Sequence, residues 1–263
     1  MKMMKQILLF FIVLGSLNIA NAQKPKHNTS TGHSAILKSK PTVKDLRLLE
    51  LKLDTLRKLA NAITNDSFLD VRRKSCYEFI PKLVSALKIN NSFYFPFDSL
   101  ETISIVYPPD SSYRIFTWQL VLPKGNFRYY GVIQMRSSTM KIFPLFDKSD
   151  TMTYHSQRVN DNESWYGALY YNIIQNKAGK KTYYTLFGFE AADLITRRKV
   201  VDVLSFEEDG KPVFGAPIFY FKMEEDSFRY KRCDTLTRFF IEYNYKAPTV
   251  LNYDKDFEMI VFD

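Results

Sequence analysis

From Ser92 onward the chain is a succession of short runs rich in Tyr, Phe, Val and Ile, separated by turn residues and seldom by enough chain to build a crossover helix. Parallel neighbours need a connection of a dozen residues or more, so such runs can pair only as a mostly antiparallel sheet. The runs expected as strands are 103–107, 113–122, 127–136, 141–146, 165–175, 182–189, 200–206, 212–221, 238–245 and 258–262. Pro108-Pro109-Asp110-Ser111, Lys124-Gly125-Asn126, Lys177-Ala178-Gly179-Lys180 and Tyr253-Asp254-Lys255-Asp256 separate them. Asp209-Gly210 between two apolar runs predicts a two-residue type I′ hairpin, because both central residues of that turn need positive φ. Ala191–Arg198 is the one place where a short helix or a bulging loop could intervene. So many strands joined by short turns imply a meander that closes into a barrel or splits into a sandwich. Tyr129-Tyr130-Gly131-Val132-Ile133 echoes Trp165-Tyr166-Gly167-Ala168-Leu169, which keeps a fragment of a propeller open as the alternative. The last apolar run ends at Phe262-Asp263 with no terminator after it, from which a longer natural form is expected.

The period is different before Ser92. Leu46, Leu49, Leu53, Leu56, Ala60 and Ile63 recur at steps of three and four, which is one stripe of a helix. Ser67 and Asp70 have the spacing of an N-cap and its N3 partner for a second helix, with Leu69, Cys76, Ile80, Leu83 and Leu87 on its apolar side. Pro81 lies inside that stretch and predicts a kink or a restart. Two such helices bury too little surface alone, so they are expected to dock on the strands. The fold class is therefore mainly β, an N-terminal helical pair (43–90) packed on a large antiparallel domain (91–263).

Residues 1–22 carry the pattern of a secretory signal: Lys2 and Lys5, the apolar run Ile7–Leu14, then Ala20-Asn21-Ala22 before Gln23. The run is too short for a transmembrane helix, and no Cys follows it to carry a lipid anchor. A secreted or periplasmic protein without a transmembrane segment is expected after cleavage. Residues 23–42 read as a disordered basic leader. The formal charge is +9, but the signal and the run Lys24, Lys26, Lys38, Lys40, Lys44 account for most of it, leaving about +2 from Asp45 onward. A nucleic-acid-binding domain concentrates its charge on a folded face, so no nucleic acid is expected. The leader reads as a solvated linker, or as weak adhesion to an anionic surface.

Export permits a disulfide between Cys76 and Cys233. Cys76 on an apolar helix face suits a buried thiol equally. Of three histidines, only His155 lies outside the leader, either as an exposed loop residue or as a lone general base. No G-x-S-x-G, C-x-x-C or Gly-rich phosphate loop occurs, so no catalytic residue, metal ion or cofactor is assigned. Asn160-Asp161-Asn162-Glu163 is a polar turn with the oxygen density of a loose calcium loop. The loop acids Asp110, Asp147, Asp150, Asp161, Glu163, Glu207, Glu208 and Asp209 are the candidates for a two-carboxylate hydrolase acting on glycan or peptidoglycan. Trp165, Tyr166 and Tyr170, beside the polar loop, are the candidate aromatic platform for a glycan or an envelope protein.

The stretches Tyr129–Gln134, Tyr183–Phe189, Lys199–Phe206 and Gly210–Gly215 resemble a family of secreted, β-rich bacterial proteins with no assigned function. The resemblance spans about 103–263. It implies export and a β-rich body, and it brings no catalytic residue. A binding or interaction protein of the cell envelope is the leading expectation, a hydrolase the alternative.

Overall fold

The computed structural model describes residues 40–153, 155–219 and 235–262. Helix α1 (Val43–Asn65) starts at Thr42, whose Oγ1 accepts from Asp45 N at 3.1 Å and so satisfies one free amide of the first turn. Helix α2 (Leu69–Leu87) starts one residue later than the Ser67 spacing predicts. Phe68 is its N-cap, and Asp66 Oδ1 takes the Phe68 amide at 2.8 Å, so Ser67 is left without the capping role. The helix does not restart at Pro81. Pro81 is exposed, so the carbonyl it leaves without a donor lies on the side open to water.

Strands β1 (Ser104–Val106), β2 (Tyr113–Val121), β3 (Phe127–Met135) and β4 (Ile142–Phe146) form a first sheet in that order, antiparallel throughout. β4 is an edge, which is where Pro144 can sit without costing a ladder bond. A second sheet contains β5 (Asn160–Asp161), β6 (Leu169–Ala178), β7 (Lys181–Ala191), β8 (Thr196–Phe206), β9 (Pro212–Phe214) and β10 (Phe239–Asn244). Its order is β5-β9-β8-β7-β6, with β10 also on β8. β9 takes one end of β8 (Leu204–Phe206) and β10 the other (Thr196–Val201). β11 (Leu251–Asp254) and β12 (Met259–Phe262) make a separate hairpin.

Side-chain parity sorts these elements into layers. From β2 and β3, Phe116, Trp118, Leu120, Tyr130 and Val132 join Leu49, Leu56, Ile63, Phe79 and Leu83 of the helices. Phe79 meets Trp118 edge to face at 5.1 Å. The alternate residues, Tyr113, Ile115, Tyr129 and Ile133, meet Tyr170, Leu186, Val200, Leu204 and Phe214 of the second sheet. The far face of that sheet, with Phe187, Val201 and Val203, packs on Phe239 and on Leu251 of the β11–β12 hairpin. The helical pair therefore packs on a two-sheet sandwich. Among the described residues neither sheet closes into a barrel. The echo that suggested a propeller joins unlike places, a central strand and the segment leading into β6.

Every expected strand has an observed counterpart, but three local features differ. Ala191–Arg198 holds neither helix nor bulge: β7 runs through Ala191, and a turn held by Asp193 Oδ1 leads straight into β8. At Asp209-Gly210 only Gly210 has positive φ (84°), so the hairpin is a Glu207–Gly210 turn closed by a left-handed glycine and not a type I′ turn. The run from Pro212 ends as a strand at Phe214, because Gly215 turns the chain with φ 89°. No helix among the described residues is long and apolar enough to cross a membrane. Residues 1–39 and Cys233 lie outside the described residues, so the signal segment, the leader and the Cys76–Cys233 pairing lie outside with them. Among the described residues Cys76 has no disulfide partner; it is 0% exposed, and burial pushes its thiol pKa up.

Candidate functional site

The register of three strands sets up a cavity of the β domain that is lined by charged and aromatic side chains. On β7 and β8, Glu190 stands directly across from Arg198. On β8 and β10, Arg198 stands directly across from Glu242. Opposite charges at facing positions stabilise a sheet, and here one guanidinium serves two carboxylates. Arg198 Nε donates to Glu242 Oε1 at 2.6 Å, and Nη1 lies 3.4 Å from Glu190 Oε2. Phe240, two residues before Glu242, projects on the same side. The connection between β4 and β6 supplies the opposite wall. Tyr166 donates its hydroxyl proton to Glu190 Oε2, and His155 sets its ring edge-on to Tyr166 at 5.2 Å. Tyr166 and Phe240 are 5.0 Å apart. His155, Ser156, Tyr166, Arg198, Phe240 and Glu242 line an open pocket of about 280 Å³.

A buried layer holds this wall in place. Arg238 and Asp202, both 0% exposed, form an ion pair at 3.1 Å between Nε and Oδ1. Arg238 Nη1 donates to the His155 carbonyl at 2.7 Å and to Asn160 Oδ1 at 3.1 Å, which fixes the backbone that carries His155. Asp202 Oδ1 takes the Val203 amide at 2.8 Å. Trp165 Nε1 donates to Tyr170 Oη at 2.9 Å, and that hydroxyl points on toward Asp202. Gly167 lets the β4–β6 connection pass this close: a Cβ there would stand 2.6 Å from Asp147 Oδ1 and 2.7 Å from Tyr129 Cβ.

The expected platform of Trp165, Tyr166 and Tyr170 is thereby corrected. The three residues are 0%, 1% and 0% exposed, and they present no open stacking face. They are core residues because both sheets contribute to the layer around them. Tyr166 alone reaches the cavity. Three of the loop acids are taken up by local hydrogen bonds. Asp147 spends both oxygens on Tyr129 N, Ser149 N and Ser149 Oγ. Asp161 caps the turn that follows it by accepting from Glu163 N and Ser164 N. Asp110 accepts from Tyr184 and Gln175 at the far end of the sandwich. No three His, Cys, Asp or Glu side chains stand together as a metal site among the described residues. His155 is half-buried and belongs to the cavity wall, not to an exposed loop.

Glu190, Arg198 and Glu242 lie on strands, where loop-based reasoning does not look. Their signal was a charge inside an apolar run: Glu190 after Phe187-Gly188-Phe189, as with Asp202 between Val201 and Val203. A carboxylate in such a place is buried only with a partner. Burial holds the Glu190 carboxyl above its ordinary range, against the pull of Tyr166 and Arg198. Burial, then the charges of Arg198 and Arg238, hold His155 below its ordinary value, so its imidazole is neutral at neutral pH. Among the described residues the buried His155 Nδ1 has no hydrogen-bond partner.

The Glu190 shift has a consequence for stability. A carboxyl whose pKa rises on folding favours the native state at low pH, and that advantage is lost as pH rises from the ordinary Glu range through the raised value. Glu190→Gln is expected to flatten this part of the curve in urea unfolding between pH 4 and pH 8. Wild type and variant falling in parallel would contradict the assignment. Compared with family models, with curated proteins and with solved structures, the chain finds no match.

Proposed function

We propose that this is an exported, secreted or periplasmic binding protein that holds one ring of an envelope glycan in the His155–Phe240–Glu242 cavity without reacting with it. The observation that carries the reading is the half-buried ring of Phe240 beside a fixed pair of polar groups, Arg198 and Glu242. A sugar has the matching surface, one flat C–H face and hydroxyls at its edge. Ligand cavities usually run from about 300 to 1,000 Å³, so this one suits a single ring. Neutral His155 adds an acceptor or donor according to tautomer. The pair needs no rearrangement on binding, because Arg198 already orients Glu242.

A hydrolase is the second reading, favoured by the contrast between Glu190, raised in pKa, and exposed Glu242. Against it, Tyr166 and Arg198 cover Glu190. Calorimetric titration with soluble N-acetylglucosamine oligosaccharides tests both. The chain from Gln23 onward is expected to bind them and release no new reducing ends. Phe240→Ala and Glu242→Gln are each expected to weaken binding about tenfold or more, which corresponds to about 1.4 kcal/mol. Absence of binding, or variants that bind as wild type, refutes the glycan reading. New reducing ends would establish the hydrolase.

A further inference from the structure

We infer that the ring held beside Phe240 and Glu242 carries a free amine: the site selects an amino sugar in its ammonium form over neutral and acidic sugars. The inference rests on the glycan reading and adds the ligand's charge to it. Its ground is the balance of charges around Arg198. One guanidinium stands between two carboxylates, Glu190 at 3.4 Å and Glu242 at 2.6 Å. The side-chain atoms bonded to Glu190, Tyr166 Oη and Arg198 Nη1, are all donors, which suits the ionised, acceptor-only carboxylate. The next charge felt by Glu190, that of Asp147, is negative as well. Behind the wall Arg238 and Asp202 cancel each other, both 0% exposed. His155 is neutral at neutral pH. Two carboxylates thus share one cation, and the cluster keeps a negative excess.

Glu242 is where that excess meets a ligand. Its side chain is 57% exposed, against 8% for Glu190. Oε1 is taken by Arg198, while among the described residues Oε2 accepts no hydrogen bond. An ammonium there gains a charge-assisted bond that a neutral group lacks. The end of the pocket at His155 has the opposite bias, since the charges of Arg198 and Arg238 are felt there. The two ends therefore orient a ligand, its hydroxyl oxygens toward His155 and its cation toward Glu242. Phe240 supports the same orientation. It stands two residues before Glu242 on one face of β10, roughly 7 Å away, and the face of an aromatic ring attracts a cation. A sugar lying on the ring can thus bring an amine to the carboxylate. An N-acetyl group places a neutral amide at that point. A uronate places a second carboxylate beside Glu242, and like charges brought together count against binding.

Calorimetric titration at neutral pH tests the inference with three soluble disaccharides, one of glucosamine, one of N-acetylglucosamine and one bearing glucuronate. An amine bound beside a carboxylate is held in its charged form. The glucosamine disaccharide is expected to bind about tenfold tighter than the N-acetyl form, and the glucuronate form more weakly than either. Glu242→Gln keeps the shape and removes the charge, and is expected to bring the ratio of amine to N-acetyl affinity to about one. That ratio is read within each variant, so a general loss of affinity does not enter it. Glu242→Asp keeps the charge and is expected to keep the preference. Equal binding of the amine and N-acetyl forms, or a preference that survives Glu242→Gln, overturns the inference and leaves the glycan reading standing. Lysine amide binding as tightly as the glucosamine disaccharide overturns it too, because the ammonium alone would then be the ligand. Absence of binding by the N-acetyl form refutes the glycan reading, and the inference with it.

Discussion

Asp202→Asn is expected to remove roughly 3–5 kcal/mol of folding free energy, because it leaves the Arg238 guanidinium charged and uncompensated inside the sandwich. Both partners are 0% exposed. Burial alone pushes the Asp202 carboxyl upward, and the Arg238 charge opposes that push. What would remain around Arg238 is neutral: the His155 carbonyl and Asn160 Oδ1. A domain is stable by only about 5–15 kcal/mol in all, so the variant is expected to lose a fifth or more of its stability. Urea unfolding at neutral pH measures the loss. The double variant Asp202→Leu/Arg238→Met is expected to be more stable than Asp202→Asn alone, because it removes both charges together. A loss below about 1 kcal/mol for Asp202→Asn would mean that water reaches the pair, which contradicts its burial.

Trp165→Ala is expected to cost roughly 3–5 kcal/mol, the usual range for emptying a buried aromatic site. The indole is 0% exposed, and its Nε1 proton is the donor to Tyr170 Oη. The variant therefore loses packing and leaves a buried hydroxyl short of one partner. Trp165→Phe keeps most of the volume and is expected to lie between the two. Thermal and urea unfolding are the measurements, and a midpoint like that of wild type would contradict the core position. For glycan binding the meaning is practical: failure of Trp165→Ala to bind reports a damaged core, whereas half-buried Phe240 reports the cavity.

The sequence exposed the fold far better than the site. Turn residues and short spacers left antiparallel pairing as the main option for the second part of the chain, and the step of three and four in Leu49, Leu56, Ala60 and Ile63 marked the helix that covers it. Period alone does not say which face of a strand is open. Trp165, Tyr166 and Tyr170 looked available because they follow a polar loop, but the first sheet lies over them, and strand aromatics carry no mark of that. The Glu190–Arg198–Glu242 row depends on pairing register between residues as far as 44 positions apart. Such register is fixed by the packed layers and not by any neighbour in sequence. Arg114 illustrates the same point. It is fully buried and donates to Ser92 O, Phe95 O, Tyr107 Oη and Gln134 Oε1, pinning the chain between α2 and β1.

The parity of β2 and β3 has a wider consequence. The first sheet is a party wall with different tenants on its two sides: helices read the even positions, Phe116, Trp118 and Leu120, and the second sheet reads the odd ones, Tyr113 and Ile115. Sliding β2 by a single position would hand each neighbour the other's side chains. An insertion inside this strand is thus an error felt in two rooms at once, while the same insertion in the Pro108–Ser111 turn stays outside both.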